Sequence, residues 1–327
     1  MKKLFQNQVA ESAATLPVTV LLALVVWVAA GLITRHWWVQ LACMGLAVYL
    51  LIELSNSNAL IRVRSRMVST VFLVLSCCHP MLFGSASGNF VTLCFIVSLF
   101  FLFSTYQAPS ATGRTFYAYF FLGLSSLAHP QTLYLLPLFW LLAITHFQSL
   151  DLRSWVASLL GILAPYWIAA PFVLFYRDFQ GIVRHFAQLA DFHFHLTYEA
   201  FTVGQLASFG FVMLLFFVSG IHFWQRSFED RIRTRQQYGF LAWILMAATL
   251  IMALQPQLYE PMIRIVIVCA SPFIAHFFTL TYSKFSNWLF MACIAAAVIL
   301  MLINLSESMR SLVFSIAVYL WNGLLNF

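Results

Sequence analysis

The chain is written in long apolar runs broken by short polar or proline-bearing corners, and those runs set the predicted architecture. A membrane-crossing helix needs about 20 mainly apolar residues. Stretches of that character fall at 16–34, 38–54, 67–83, 90–106, 116–129, 131–147, 155–175, 207–224, 239–255, 262–281 and 287–304. The pattern predicts an all-α, polytopic transmembrane bundle of about eleven spans, within a range of ten to twelve. The run 116–129 is short, and the apolar tail 308–327 is either a twelfth span or an interfacial helix. Residues 1–15, with Leu4, Phe5 and Val9 among polar neighbours, read as a short helix lying on the cytoplasmic leaflet. Glu11 and the length of the first run argue against a cleaved leader. The chain is therefore expected to be one transmembrane domain, 1–327, with 176–206 as an external loop or re-entrant segment.

Charge orients these spans. With the N-terminus in the cytoplasm and strict alternation, the inside carries Lys2, Lys3, Arg62, Arg64, Arg66, Arg114, Arg153, Arg226, Arg231, Arg233, Arg235 and Lys284. The outside carries Arg35, Arg177, Arg184, Arg264 and Arg310. Twelve of the 17 basic residues thus lie inside, as the positive-inside rule demands. The acids split evenly: Glu11, Glu53, Asp151, Glu229 and Asp230 inside, Asp178, Asp191, Glu199, Glu260 and Glu307 outside. The expected location is a bacterial inner membrane.

Composition agrees with the pattern. The 327 residues are 62% hydrophobic and 8% charged, too few charges to cover a soluble surface. The net charge of +7 then reads as topogenic loops and contact with membrane lipids, and nucleic acid is not an expected partner. All six cysteines sit in apolar stretches and read as reduced packing residues. Cys77-Cys78-His79 lacks the paired spacing of a zinc site, so no metal is expected. There is no glycine-rich phosphate loop, G-x-S-x-G or H-E-x-x-H, and no cofactor is expected.

The candidate chemistry gathers outside, as the alternation places it. His79 and His129 each precede a proline and read either as helix-ending devices or as paired ligand contacts. The loop 84–89 ends on Asn89. Asp191, His193 and His195 alternate with phenylalanines; an extended segment would align them for metal binding or proton transfer, while a helix would scatter them. Arg177 and Arg184 follow the seventh run and suit a lipid phosphate. Tyr259 and Glu260 sit between the ninth and tenth runs, and Arg264 lies slightly within the tenth and needs a partner; Glu260, four residues earlier, is the obvious one. Inside, Glu53 is expected to pair with one of Arg62, Arg64 and Arg66.

Three stretches carry a family likeness: HPMLFGSASGNFVTLCFIVSLFFLFSTY at 79–106, FLGLSSLAHPQTLYLLPLFWLL at 121–142, and LLGILAPYWIAAPFVLFYRDF at 159–179. With PQLYEPMIRIVIVCASPFIAHFF at 256–278 they resemble membrane glycosyltransferases of the GT-C type, which use polyprenyl-phosphate-linked sugars. The layout is also similar to a family of bacterial multi-pass membrane proteins that carries no settled function. The first resemblance implies a GT-C-like bundle, a lipid-linked glycan as partner and an essential acid in the first external loop. Here that loop is Arg35-His36-Trp37, with no acid. A catalytic base would then come from Asp178, Asp191, Glu199 or Glu260, with His79, Asn89, His129, Arg177, Arg184, His193, His195, Tyr259 and Arg264 as binding groups. Two rival expectations remain: a non-catalytic scaffold or subunit bound to other envelope proteins, and a transporter of small molecules or lipids.

Overall fold

The computed structural model describes residues 4–63, 65–108, 111–176, 179–190 and 201–325. Among them the regular structure is entirely helical, in thirteen α-helices: α1 Phe5–Glu11, α2 Thr15–Ala30, α3 Trp38–Asn58, α4 Met67–Cys77, α5 Ala86–Phe103, α6 Thr112–Ala128, α7 Leu136–Thr145, α8 Leu152–Tyr176, α9 Phe179–Ala190, α10 Val203–Arg226, α11 Ile232–Leu254, α12 Tyr259–Leu280 and α13 Lys284–Leu325. Every run predicted to span falls on one of these helices.

The helices differ in length more than the runs suggested. Seven are long and apolar enough to cross a membrane, namely α3, α5, α8, α10, α11, α12 and the first part of α13. The pair α1–α2, bent by 91°, makes an eighth if taken together. That sharp bend sets α1 across the axis of α2. The protein is a multi-pass membrane protein on this evidence, and the other three runs are shorter. The 11 residues of α4 reach about 16 Å at 1.5 Å per residue, against about 30 Å of hydrocarbon. The helix α6 has 17 residues and α7 has 10. The reason is local: Pro80 and Pro130 stop regular helix where the apolar run continues. The tail, expected as a separate element, instead continues α13 as far as Leu325.

Three hairpins share one corner. The bonds His79-Pro80, His129-Pro130 and Gln255-Pro256 each open a short 3₁₀ turn, at 80–82, 130–135 and 256–258. The preceding residues take φ/ψ of −125°/64°, −138°/99° and −131°/84°. Proline bars its predecessor from the helical region, so each bond ends one helix and aims the next. The two His-Pro bonds thus have a third counterpart at Gln255-Pro256.

One helix is the axle. In α12, 94% of the apolar window is buried, and it packs against α4, α5, α10, α11 and α1. The helices α3 and α2 lie outside α5 and α4, while α6 joins α8 to α5. At the α6–α8 crossing, a Cβ on Gly123 would stand 2.6 Å from the Ile162 carbonyl, and one on Gly161 2.6 Å from that of Phe116. Only residues without a side chain let the two backbones approach this closely. At the rim, α13 has 17% of its window buried.

Contacts beyond the helices sort into two ends. At the basic end, Ser65 donates to the Ala10 carbonyl (2.5 Å), Gln107 N–H to Phe147 O (2.9 Å), Asn7 to Thr281 O (3.1 Å) and Arg233 to Asn58 (2.8 Å). Asp230 is wedged there between Arg62 Nε (2.8 Å) and His276 Nε2 (3.1 Å). At the other end, which the three prolines mark as the corner end, His129 meets Ser87, Tyr259 meets Gln205, and Arg264 meets Leu82 and Asn89. Each of these contacts joins segments that alternation assigns to one face. Glu53 lies exposed on α3, and Arg62 pairs with Glu229 and Asp230, while Arg64 lies outside the described residues.

Candidate functional site

The corner end brings three segments together: the start of α5, the end of α6 and the first turn of α12. Ser85 caps α5, its hydroxyl accepting from Gly88 N–H (3.1 Å). One turn on, Asn89 is buried and donates to the carbonyls of Phe83 (3.1 Å) and Ser85 (2.8 Å). Its Oδ1 is left to accept from Arg264 Nη1 at 3.2 Å.

Arg264 is the centre of the cluster. Its side chain is only 4% exposed. Nη2 donates to the Leu82 carbonyl and to Glu260 Oε1, the latter at 3.3 Å. A buried guanidinium is costly unless paired, and these partners meet that need. Its Nε has no hydrogen-bond partner among the described residues. Glu260 is the other half of the pair and differs in setting, its side chain being 41% exposed. The pair therefore presents a carboxylate at the surface, held from below by a sunken cation.

Gly88 makes the assembly possible. A Cβ there would lie 2.5 Å from Arg264 Nε and 2.7 Å from Glu260 Oε1. Beside it, exposed Ser87 shares a hydrogen bond with His129 Nε2 at 3.2 Å. A carboxylate, an imidazole, a hydroxyl and a guanidinium thus meet on one corner. Such a set can accept a proton, donate hydrogen bonds to hydroxyls and hold an anion.

The remaining predicted residues divide. His79 is buried, with Nδ1–H donating to the Leu75 carbonyl at 3.0 Å, four residues back. That is the helix-ending role, although its Nε2 has no partner among the described residues. Tyr259 is turned to α10, its hydroxyl donating to Gln205 O at 3.3 Å, and packs on Phe201. Arg184 is exposed on α9, bonded to its own helix through Gln180 O at 3.4 Å. The positions Arg177, Asp178, Asp191, His193, His195 and Glu199 lie outside the described residues.

Two features were missed in the sequence. The stretch expected as a loop contains α9, whose apolar residues at 179, 182, 183, 186 and 190 already follow helical spacing. Tyr134 and Gln131 fasten it to the His129-Pro130 corner, reaching Leu189 O (3.0 Å) and Gln188 (3.5 Å). Ser87, within the polar loop 84–89, was not singled out, because only its position opposite His129 marks it.

No family model matches this chain, and neither a curated protein nor a solved structure does.

Proposed function

We propose that this chain is a bacterial inner-membrane protein that takes a lipid-linked sugar at its corner end and transfers the sugar, with Glu260 as the acid–base group. One observation carries the reading. Glu260 stands 41% exposed on a buried arginine, at the corner where His129 and Ser87 share a hydrogen bond. The Arg264 guanidinium pairs with it and fixes its position. In the reaction, the Glu260 carboxylate accepts the proton of an acceptor hydroxyl. The hydroxyl oxygen attacks the anomeric carbon, and the bond from that carbon to the phosphate oxygen breaks. The polyprenyl phosphate leaves with the electron pair. His129 and Ser87 hydrogen-bond the sugar, and Arg184, on the adjacent amphipathic α9, meets the phosphate. Twelve basic residues on the opposite face support a cytoplasmic N-terminus and an external site.

The test is transfer from a polyprenyl-phosphate sugar in proteoliposomes. Glu260→Gln should abolish transfer while leaving donor binding in place. Full transfer by that variant would overturn the assignment. A second reading, the non-catalytic subunit, draws on the turn after α2. There Arg35 lies 5.1 Å over the Trp37 ring, and no acid accompanies it. Recovery of the chain in mild detergent with a stoichiometric envelope protein, and no transfer by either form, would favour that reading.

A further inference from the structure

A cavity of about 400 Å³, which shares no lining residue with the corner cluster, is walled by α2, α4, α10 and α13 and floored by Ile274 and Phe278 of α12. Its lining is almost wholly apolar, and it includes the small residues Ala23 of α2 and Ala297 of α13. Water has too few polar partners to occupy such a space. The volume is that of sites which hold a small organic ligand. The rim residues Leu22, Val25, Val298 and Leu302 are exposed. In a membrane, what lies beyond that rim is hydrocarbon.

Its dimensions and ends identify the occupant. From Thr15 to Val26 the groove follows α2 for about 16 Å, close to half the roughly 30 Å of a bilayer core. It starts at the α1–α2 elbow, where Val9 and Thr15 line it and Thr15 donates to the Val9 carbonyl at 2.5 Å. This is the basic end. Exposed Arg66 directly precedes the lining residue Met67, and exposed Lys284 opens α13. We infer that the α2–α4–α13 groove binds one anionic phospholipid from the leaflet at the basic end, with an acyl chain in the groove and its phosphate at Arg66 and Lys284. The site differs from the sugar site in position and in chemistry, so either can stand without the other.

The test uses the full chain in nanodiscs containing a phosphatidylglycerol that carries a diazirine on its acyl chain. After irradiation, labelled peptides are mapped by mass spectrometry. Labelling should concentrate on the groove faces of α2 and α13, well above the equally lipid-exposed Leu160 and Trp167 of α8. Ala297→Trp fills the groove and should bring its labelling down to the α8 level; should that variant fail to fold, competition by unlabelled phosphatidylglycerol serves the same end. Replacing Arg66 and Lys284 by Gln should weaken retention about fivefold per residue. A diazirine phosphatidylcholine should label the groove less, and a diazirine polyprenyl phosphate no more than α8. Uniform labelling over α8 and the groove, or preference for the polyprenyl probe, would overturn the inference.

Discussion

Gly88→Ala tests the corner cluster directly, because the structure states what the added methyl would strike. Its Cβ would arrive 2.5 Å from Arg264 Nε and 2.7 Å from both Arg264 Cζ and Glu260 Oε1. Ordinary contact begins at about 3.5 Å, so the guanidinium must retreat by about 1 Å. It has no free direction, since the Asn89 and Glu260 bonds are already 3.2 and 3.3 Å long and Leu82 O holds the third side. Loss of a hydrogen bond to a buried charge costs about 1.5–3 kcal/mol, and overpacking about 1–3 kcal/mol. Polar pairs within membranes average nearer 0.6 kcal/mol. The expected penalty is about 2–4 kcal/mol, read as reversible unfolding of the purified protein in mixed micelles. The decisive comparison is a double-mutant cycle. In an Arg264→Met background the guanidinium is gone and the part-exposed Glu260 carboxylate is released to swing aside, so Gly88→Ala should cost no more than about 0.5 kcal/mol. A wild-type-like Gly88→Ala, or a penalty that persists without Arg264, would refute the reasoning.

Three further predictions follow from other contacts. Asp230→Ala should destabilise by about 3–5 kcal/mol, because Asp230 and its partner His276 are both buried, whereas Arg226→Ala, at 61% exposure and paired with part-exposed Glu229, should cost under about 1 kcal/mol; equal losses in chemical unfolding would contradict this. Gly123→Ala and Gly161→Ala set a methyl 2.6 Å from opposing backbone and should each destabilise by about 1–3 kcal/mol, while Gly210→Ala, in open space on α10, should stabilise by about 0.5–1 kcal/mol. Asp151 accepts from Ser154 N–H at 2.8 Å at the start of α8, and hydrogen bonds from Ser154 hold its carboxyl below the usual carboxylate range. A lowered native value means the contribution is present above the unfolded pKa of about 3.9 and is lost as pH falls through the native value. Asp151→Asn should therefore remove the acid-side loss of amide-exchange protection at 152–155, and an unchanged pH profile would count against the cap.

Much of the fold could be read from the sequence because hydrocarbon selects on one variable. Each predicted run is helical, and the Glu260–Arg264 pair follows from the rule that a lone charge in apolar sequence needs a partner one turn away. What stayed hidden depends on distant segments meeting. Nothing in 84–89 says that Gly88 abuts Arg264, and nothing near Gly123 says that Ile162 lies against it. His276 was detectable as an ionisable residue inside the tenth run, but its partner Asp230 sits in a loop that looks merely basic. The helix lengths were misjudged where proline, a local signal, cuts a run that composition alone would extend.

The enclosure of α12 has a consequence for how such a sequence can drift over evolutionary time. Every face of that rod abuts another part of the same polypeptide, so a change in shape anywhere along it asks for an answering change in a neighbour. A residue on α13 mostly greets fluid lipid, which accepts any greasy shape. Related sequences should therefore diverge fastest at the outward-facing positions of 284–306 and slowest along 259–280, and distant cousins should be found more readily through the axle than through the rim.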